Sequence, residues 1–150
     1  LGDRPSSADF GIYAQLTQLA KFDPTPMKLC LDLAPRVHAW TDIVDDLSGQ
    51  PAEDDGWIEP DGIPEHLGEL LSEVGRVYIP ALLANNAAID AGHDQMDTTI
   101  DGQPWTQPTF PYQAKCLQTL RHRYFSLDQA DRDGVDTALA GTGCEAFLGN

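Results

Sequence analysis

The chain has few basic residues and few cysteines. Of its 150 residues, 9 are Lys or Arg and 24 are Asp or Glu, which gives a formal net charge of −15. A surface of this sign repels phosphate groups, which argues against nucleic-acid binding and against attraction to anionic membranes. The three cysteines, Cys30, Cys116 and Cys144, form no C-x-x-C pair. This pattern disfavours a zinc site or a disulfide framework and favours reduced thiols in a cytoplasmic protein.

Long apolar runs are also missing. No stretch approaches the roughly 20 apolar residues that a membrane helix needs, and no basic-then-apolar signal peptide opens the chain. The first residue is not Met, so we expect the sequence to be cut from a longer chain. The length predicts a single domain or a fragment. Apolar residues make up 41% and charged residues 22%, which is typical of a folded globular chain.

The clearest local signal is the start of a helix. Ser6 and Asp9 have the spacing of a capping box, in which each side chain accepts from the other residue's backbone N–H. Pro5 and Phe10 occupy the two positions of a hydrophobic staple. The helix is predicted to run to about Phe22. Because its apolar residues spread around the circumference, we expect it to be central and covered on several sides.

The rest of the pattern predicts more helices and one hairpin. Asp101-Gly102 is typical of a type I′ turn, and it predicts a small β-hairpin near 96–107 in an otherwise all-α fold. Further helices are predicted over Met27–Leu33, Pro35–Leu47, Pro64–Ala91 and 111–127, and the third of these is expected to bend at Pro80. A last helix is predicted to begin at a cap at Ser126 and to end at Ala140.

Residues 1–49 resemble the C-terminal helical domain of glutathione S-transferases. In that family a Gly-Asp turn, here residues 2–3, precedes a capping box and an apolar staple residue, here within residues 5–10, and together these open the central helix. The segment 35–47, with Trp40, is similar to the family's next helix. The resemblance implies a helical bundle of the glutathione S-transferase C-terminal type.

The remainder of the chain looks like the C-terminal extension of some bacterial family members. The segments 73–78 and 110–117 carry that weaker similarity. The resemblance therefore divides one helical domain into family-like helices (1–49), an acidic linker (50–64) and an extension (65–150).

The resemblance also implies what the chain lacks. In the family, an N-terminal thioredoxin-like domain binds glutathione and supplies the residue that activates its sulfur, so no catalytic residue is assigned here. The intact protein is expected to use glutathione, whereas this chain would contribute substrate-side binding and oligomerisation and would be inactive in conjugation alone. The alternative is a non-enzymatic helical interaction module. A homo-oligomer is expected, because an apolar helix without its upstream partners tends to form an interface.

One basic cluster stands out near the C-terminus. Lys115, Arg121 and Arg123, with His122 between them, are candidates for holding an anion such as a glutathione carboxylate. The interpretation we favour is ion pairing with the acidic middle third, since residues 51–100 hold 11 acidic residues and one basic residue.

Other site candidates have simpler interpretations. Cys116 and His122 lie six residues apart on one helix and point to different faces, so Cys116 is predicted to pack in an apolar stripe with Tyr112 and Leu120. The Glu65, Glu69 and Glu73 stripe beside His66 has no second ligand helix, and the calcium-like loop at 131–134 lacks two charged ligands. No metal site is predicted.

Overall fold

The structure of the chain is a computed structural model that describes residues 4–51 and 55–149. It forms two units, Leu1–Ile58 and Glu59–Asn150. Their boundary lies inside the predicted 50–64 linker. No helix among the described residues has the length and apolar character needed to cross a membrane.

The described part of the N-terminal unit contains three α-helices. The first helical run ends at Phe22, as predicted. The second helix begins at Pro24 instead of the predicted Met27, because proline at the first helical position needs no N–H and the Asp23 carboxylate accepts from the N–H of Thr25 at 3.1 Å. The elements are α1 (Ser7–Leu16), continued by a π-helical segment (Thr17–Phe22), α2 (Pro24–Leu33) and α3 (Pro35–Asp45).

The predicted burial of the first helical run on several sides is wrong within this unit. Phe10 and Leu19 are each 49% exposed and Phe22 is 79% exposed, while Asp9 and Ala20 are buried. The physical reason is the small number of neighbours. The first helical run contacts α2 and α3 in this unit, and two helices cannot cover an apolar surface that extends around the whole circumference.

The C-terminal unit confirms an all-α fold with a small hairpin. Its core is a cluster of Ile79, Leu82, Leu117 and Cys144, which come from the helices Ile79–Asp90 and Pro111–Ser126 and from the final turn Cys144–Leu148. The elements are a 3₁₀ turn (Pro60–Gly62), α4 (Glu65–Glu73), a π-helical segment (Val74–Tyr78), α5 (Ile79–Asp90), β1 (Gln95–Ile100), β2 (Gln103–Pro108), α6 (Pro111–Ser126), α7 (Gln129–Leu139) and a final 3₁₀ turn (Cys144–Leu148).

The long helix predicted over 64–91 is interrupted by the π-helical segment. Within it, the N–H of Ile79 bonds the carbonyl of Val74, five residues earlier. The segment ends two residues before Pro80, which has no N–H to donate. A wider turn at this point accommodates the proline within a helical run that continues to Asp90.

Gly75 lets the C-terminal loop lie directly against this wider turn. A Cβ on Gly75 would stand 2.1 Å from the carbonyl oxygen of Thr142 and 2.8 Å from the backbone nitrogen of Cys144. The contact also buries Cys144, whose thiol donates to the Leu71 carbonyl at 3.1 Å. The position therefore requires glycine for space.

The hairpin has the predicted turn and a fixed register. Asp101 and Gly102 both have positive φ, at 51° and 75°, as a type I′ turn requires. Ile100 pairs with Gln103 at the turn. Met96 is 1% exposed, and β1 packs against α5.

A buried amide ties α5 to the chain that follows the hairpin. The side-chain Nδ2 of Asn85 donates to the Phe110 carbonyl at 3.0 Å, and its Oδ1 accepts from the Phe110 N–H at 2.7 Å. Asn85 is 0% exposed. Both hydrogen bonds fix the residue that directly precedes α6.

The predicted apolar stripe of α6 faces inward at Leu117, which the periodicity also places on it, but not at Tyr112 or Leu120. Tyr112 is 65% exposed and Leu120 is 46% exposed, whereas Ala114 and Leu117 are buried and Cys116 is half-buried. The helix is rotated so that the small Ala114 lies in the interior, and this rotation depends on tertiary packing, which helical periodicity alone does not encode.

The predicted cap of α7 is also wrong. Asp128, rather than Ser126, caps the helix, since its carboxylate accepts from the N–H of Asp131 at 2.9 Å. Ser126 is the last residue of α6, where its hydroxyl donates to the Arg123 carbonyl at 2.7 Å.

Gly75→Ala should destabilise the C-terminal unit by about 2 kcal/mol or more, because backbone atoms of the loop must move. Gly68→Ala is the matched control, since a Cβ there meets nothing within 4 Å and should stabilise α4 by up to about 1 kcal/mol. The measurement is urea unfolding followed by Trp105 fluorescence, with Trp40 and Trp57 replaced by Phe. Equal stability of the two variants would contradict the close contact.

Candidate functional site

The start of α1 contains the reciprocal bonds of a capping box. The N–H of Ser6 donates to Oδ2 of Asp9 at 2.8 Å, and the N–H of Asp9 donates to Oγ of Ser6 at 3.4 Å. Asp9 is only 2% exposed. Burial raises the pKa of Asp9, but hydrogen bonds, including those from Ser6, outweigh it and hold the pKa below its ordinary value.

A cavity of about 700 Å³ lies beside this helix start. Its walls come from the beginning of α1, the end of α3 and the chain after α3. The staple positions Pro5 and Phe10 both line it, and α3 contributes Ile43. The volume is in the range of small-molecule sites. The full lining is Arg4, Pro5, Phe10, Ile43, Asp46, Leu47, Gln50, Pro51, Asp55 and Gly56.

An aromatic contact holds the chain near one end of this cavity. The guanidinium carbon of Arg4 lies 4.2 Å from the centre of the Trp57 ring, which is a cation–π geometry. Trp57 is about half exposed. The contact ties the end of the N-terminal unit back to its first described residue, so cavity-lining segments that are distant in sequence are kept close.

Polar contacts fix α3 against the first helical run. The ammonium of Lys21 donates to Nδ1 of His38 at 3.0 Å and to Oδ2 of Asp42 at 2.7 Å. Because an ammonium only donates, Nδ1 of His38 is the acceptor in this contact. The Lys21 hydrogen bond lowers the pKa of Asp42. The hydroxyl of Tyr13 donates to Asp45, which raises the tyrosine pKa.

These contacts position one wall of the cavity, and they were not predicted from the sequence. The available signal was the spacing of His38, Asp42 and Asp45, which places three polar side chains on one face of α3. Asp42 and Asp45 are exposed, as polar helix residues usually are, and only the three-dimensional arrangement reveals Lys21 and Tyr13 as the partners.

The predicted anion-binding residues are not gathered into one site. The Nε of Arg121 donates to the Phe147 carbonyl at 2.7 Å and so holds the final 3₁₀ turn. Arg123 lies about 200° away around α6, and Lys115 is exposed on the same helix. Within residues 4–51 and 55–149, no ion pair includes Lys115, Arg121 or Arg123.

The acidic middle third has a different cationic partner. The guanidinium of Arg76 pairs with Glu73 at 2.6 Å and with Asp101 at the hairpin turn. Its hydrogen bonds lower the pKa of both carboxyls. One arginine therefore links the π-helical segment to the tip of the hairpin.

The described part of the chain contains no group of three or more His, Cys, Asp or Glu side chains arranged to hold a metal. Glu73 of the predicted acidic stripe pairs with Arg76. The segment 131–134 is helical, within α7, so its carboxylates do not form a loop.

Comparison with known proteins found no matching family model, curated protein or solved structure. The resemblance of residues 1–49 to glutathione S-transferases therefore stays a prediction. Three features of the N-terminal unit bear on function: the capping box, the cavity, and the contacts of α3 with the first helical run.

Ser6→Ala should destabilise the N-terminal unit by about 1 kcal/mol, because an N-terminal donor of α1 loses its partner. Asp9→Asn should destabilise it as well, with a pH dependence. The pKa of Asp9 is lowered in the folded state, so its contribution is present above about pH 4 and is lost as pH falls through the folded pKa.

The measurement is urea unfolding followed by Trp40 fluorescence at pH 7 and near pH 3. The difference between wild type and Asp9→Asn should shrink at the lower pH. Ser7→Ala is the control, since Ser7 lies outside the capping pair. A pH-independent difference would contradict the role given to the Asp9 carboxylate.

Proposed function

We propose that the chain is the helical, substrate-side part of a glutathione S-transferase-like protein. In the intact protein, the cavity of the N-terminal unit would hold an apolar substrate beside glutathione bound by a thioredoxin-like domain. The observation that carries the proposal is the coincidence of two features. The staple residues of the family-like helix start, Pro5 and Phe10, also line a cavity large enough for a small ligand.

The chemistry of the lining favours binding rather than catalysis. Phe10, Ile43 and Leu47 offer apolar walls, while Asp46 and Asp55 add polar groups. None of the described lining residues is a Cys, His, Ser or Tyr that could activate a thiol. The chain would supply a place for an apolar electrophile, and the activation of glutathione would come from the other domain.

Leu47→Arg should weaken binding of chlorodinitrobenzene to the chain by roughly tenfold, because a charged side chain then occupies the cavity. Leu120→Arg is the matched control. Leu120 is exposed in the C-terminal unit, so that variant should bind as wild type does. The measurement is equilibrium titration followed by nuclear magnetic resonance shifts of cavity-lining amides.

The same samples with added glutathione should show no saturable conjugation. Saturable conjugation by the pure chain would contradict the proposed division of roles. Equal binding by the Leu47→Arg and Leu120→Arg variants would contradict the cavity as the ligand site.

A second candidate is a non-enzymatic helical interaction module. It is favoured by the exposed apolar side chains of the N-terminal unit, where Phe22 is 79%, Leu29 55% and Leu33 80% exposed. Large apolar side chains exposed in such numbers on one small unit often mark a protein interface. Under this proposal the exposed surface, rather than the cavity, binds the partner. The simplest such partner is a second copy of the chain.

We expect the chain to form a homodimer or a higher oligomer at micromolar concentration through this surface. The double variant Phe22→Ser/Leu33→Ser should shift sedimentation velocity towards the monomer, since it removes apolar area from the interface. Phe125→Ser, which alters an exposed residue of the C-terminal unit, should leave the oligomer intact. A monodisperse wild-type monomer would contradict self-association.

A further inference from the structure

We propose that the outer edge of β1 binds an extended, basic peptide segment, which adds to the hairpin as a third strand. The proposal is independent of the N-terminal cavity and of the glutathione S-transferase resemblance. It depends on the pairing of the hairpin, on the position of its prolines and on the charge around β1.

The pairing leaves one row of backbone groups facing away from β2. A two-residue turn makes Ile100 and Gln103 a hydrogen-bonded pair, and such pairs alternate with non-bonded pairs along an antiparallel ladder. Gln95, Asp97 and Thr99 are in the non-bonded pairs. Their N–H and C=O groups therefore point outward, and no described backbone or side-chain group bonds them.

The outer edge of β2 is different because prolines stand at the corresponding positions. Pro104 pairs with Thr99 and Pro108 pairs with Gln95. Each proline lacks the N–H that would otherwise point outward, which blocks strand addition on that side. The hairpin thus has one blocked edge and one open edge, and the open edge belongs to β1.

A groove lies between the first half of β1 and α5. Gln95 and Asp97 line it together with α5, and its volume is about 340 Å³. Strand addition combines backbone hydrogen bonds with pockets for alternate side chains. This groove offers both, since its strand residues are also those with outward backbone groups. Its other lining residues are Ala84, Ala87, Ala88, Ala91 and His93.

The charge around the groove selects a basic occupant. Asp90, Asp94 and Asp97 surround β1 and the end of α5, and none of them is in an ion pair among the described residues. The Asp97 carboxylate accepts from the Thr106 hydroxyl at 2.5 Å, which leaves its charge uncompensated. A second copy of β1 would bring the same carboxylates together, and like charges across strands are destabilising.

The probe is an acetylated and amidated octapeptide of alternating Lys and Val, compared with the same peptide carrying Glu in place of Lys. In the full chain, the Lys peptide should shift the amide resonances of Gln95, Asp97 and Thr99, and its binding should weaken as salt is added. The Glu peptide should bind at least about fivefold more weakly, because the groove is acidic.

Gln95→Pro and Gln95→Val form the matched pair of variants. Gln95→Pro removes one outward N–H at a position opposite a tolerated proline, so it should weaken Lys-peptide binding at least about fivefold. Gln95→Val keeps that N–H and should bind as wild type does. If Gln95→Pro loses the dispersed spectrum of the hairpin, Thr99→Pro, opposite Pro104, takes its place.

Three results would overturn the proposal. The first is equal binding of the Lys and Glu peptides. The second is binding that neither proline variant weakens, and the third is a dimer of the chain that Gln95→Pro dissociates, which would make a second copy the occupant of this edge. Strand addition is supported if only the proline variants lose Lys-peptide binding and if Gln95→Pro leaves the oligomeric state of the chain unchanged.

Discussion

The hydrogen bonds between the Asn85 side chain and the Phe110 backbone determine how the C-terminal unit is assembled. A buried amide is costly unless both its donor and its acceptor are satisfied, and here one residue satisfies both, at 3.0 and 2.7 Å. The connection between α5 and α6, which contains the whole hairpin, is therefore closed at a defined point. A further bond, from the Thr109 N–H to the Asp94 carbonyl at 2.9 Å, joins the two ends of the hairpin.

This closure determines both how the hairpin packs on the core and which edge of β1 is exposed. With its ends joined, the hairpin lies along α5 and buries Met96. Burial of that one face determines the orientation of the pleat, while the turn determines which backbone groups of β1 point outward. Gly75 makes a comparable contact at the other end of the helical run, where the loop before Cys144 packs against it. In both places one residue decides the packing. Asn85 does so through its two hydrogen bonds, and Gly75 does so through its small size.

Local signals in the sequence predicted the local structure well. The capping pair at Ser6 and Asp9, the end of the first helical run at Phe22 and the type I′ turn at Asp101 each depend on residues within a few positions of one another. Long-range features were not predictable in the same way. Asn85 looks like an ordinary polar helix residue until the chain brings Phe110 to it, 25 positions later.

The same distinction applies to the candidate sites. Lys115, Arg121 and Arg123 are close in sequence, but a helix distributes them around its axis, and Arg121 bonds a carbonyl of the final turn. The cavity of the N-terminal unit needs α3 held against the first helical run, which the Lys21 contacts with His38 and Asp42 accomplish. Neither the cavity nor the open strand edge follows from composition, since both are formed by residues that are far apart along the chain.

Hydrogen exchange of the Phe110 amide is the most direct test of the central claim that the Asn85 amide holds the hairpin against α5. The account predicts exchange nearly as slow as that of the most protected amides of α5, because this N–H is bonded to a buried side chain. Exchange as fast as that of Gly102, at the tip of the turn, would contradict it. In that case the hairpin would not be fixed on α5, and the open edge of β1 would have no defined position.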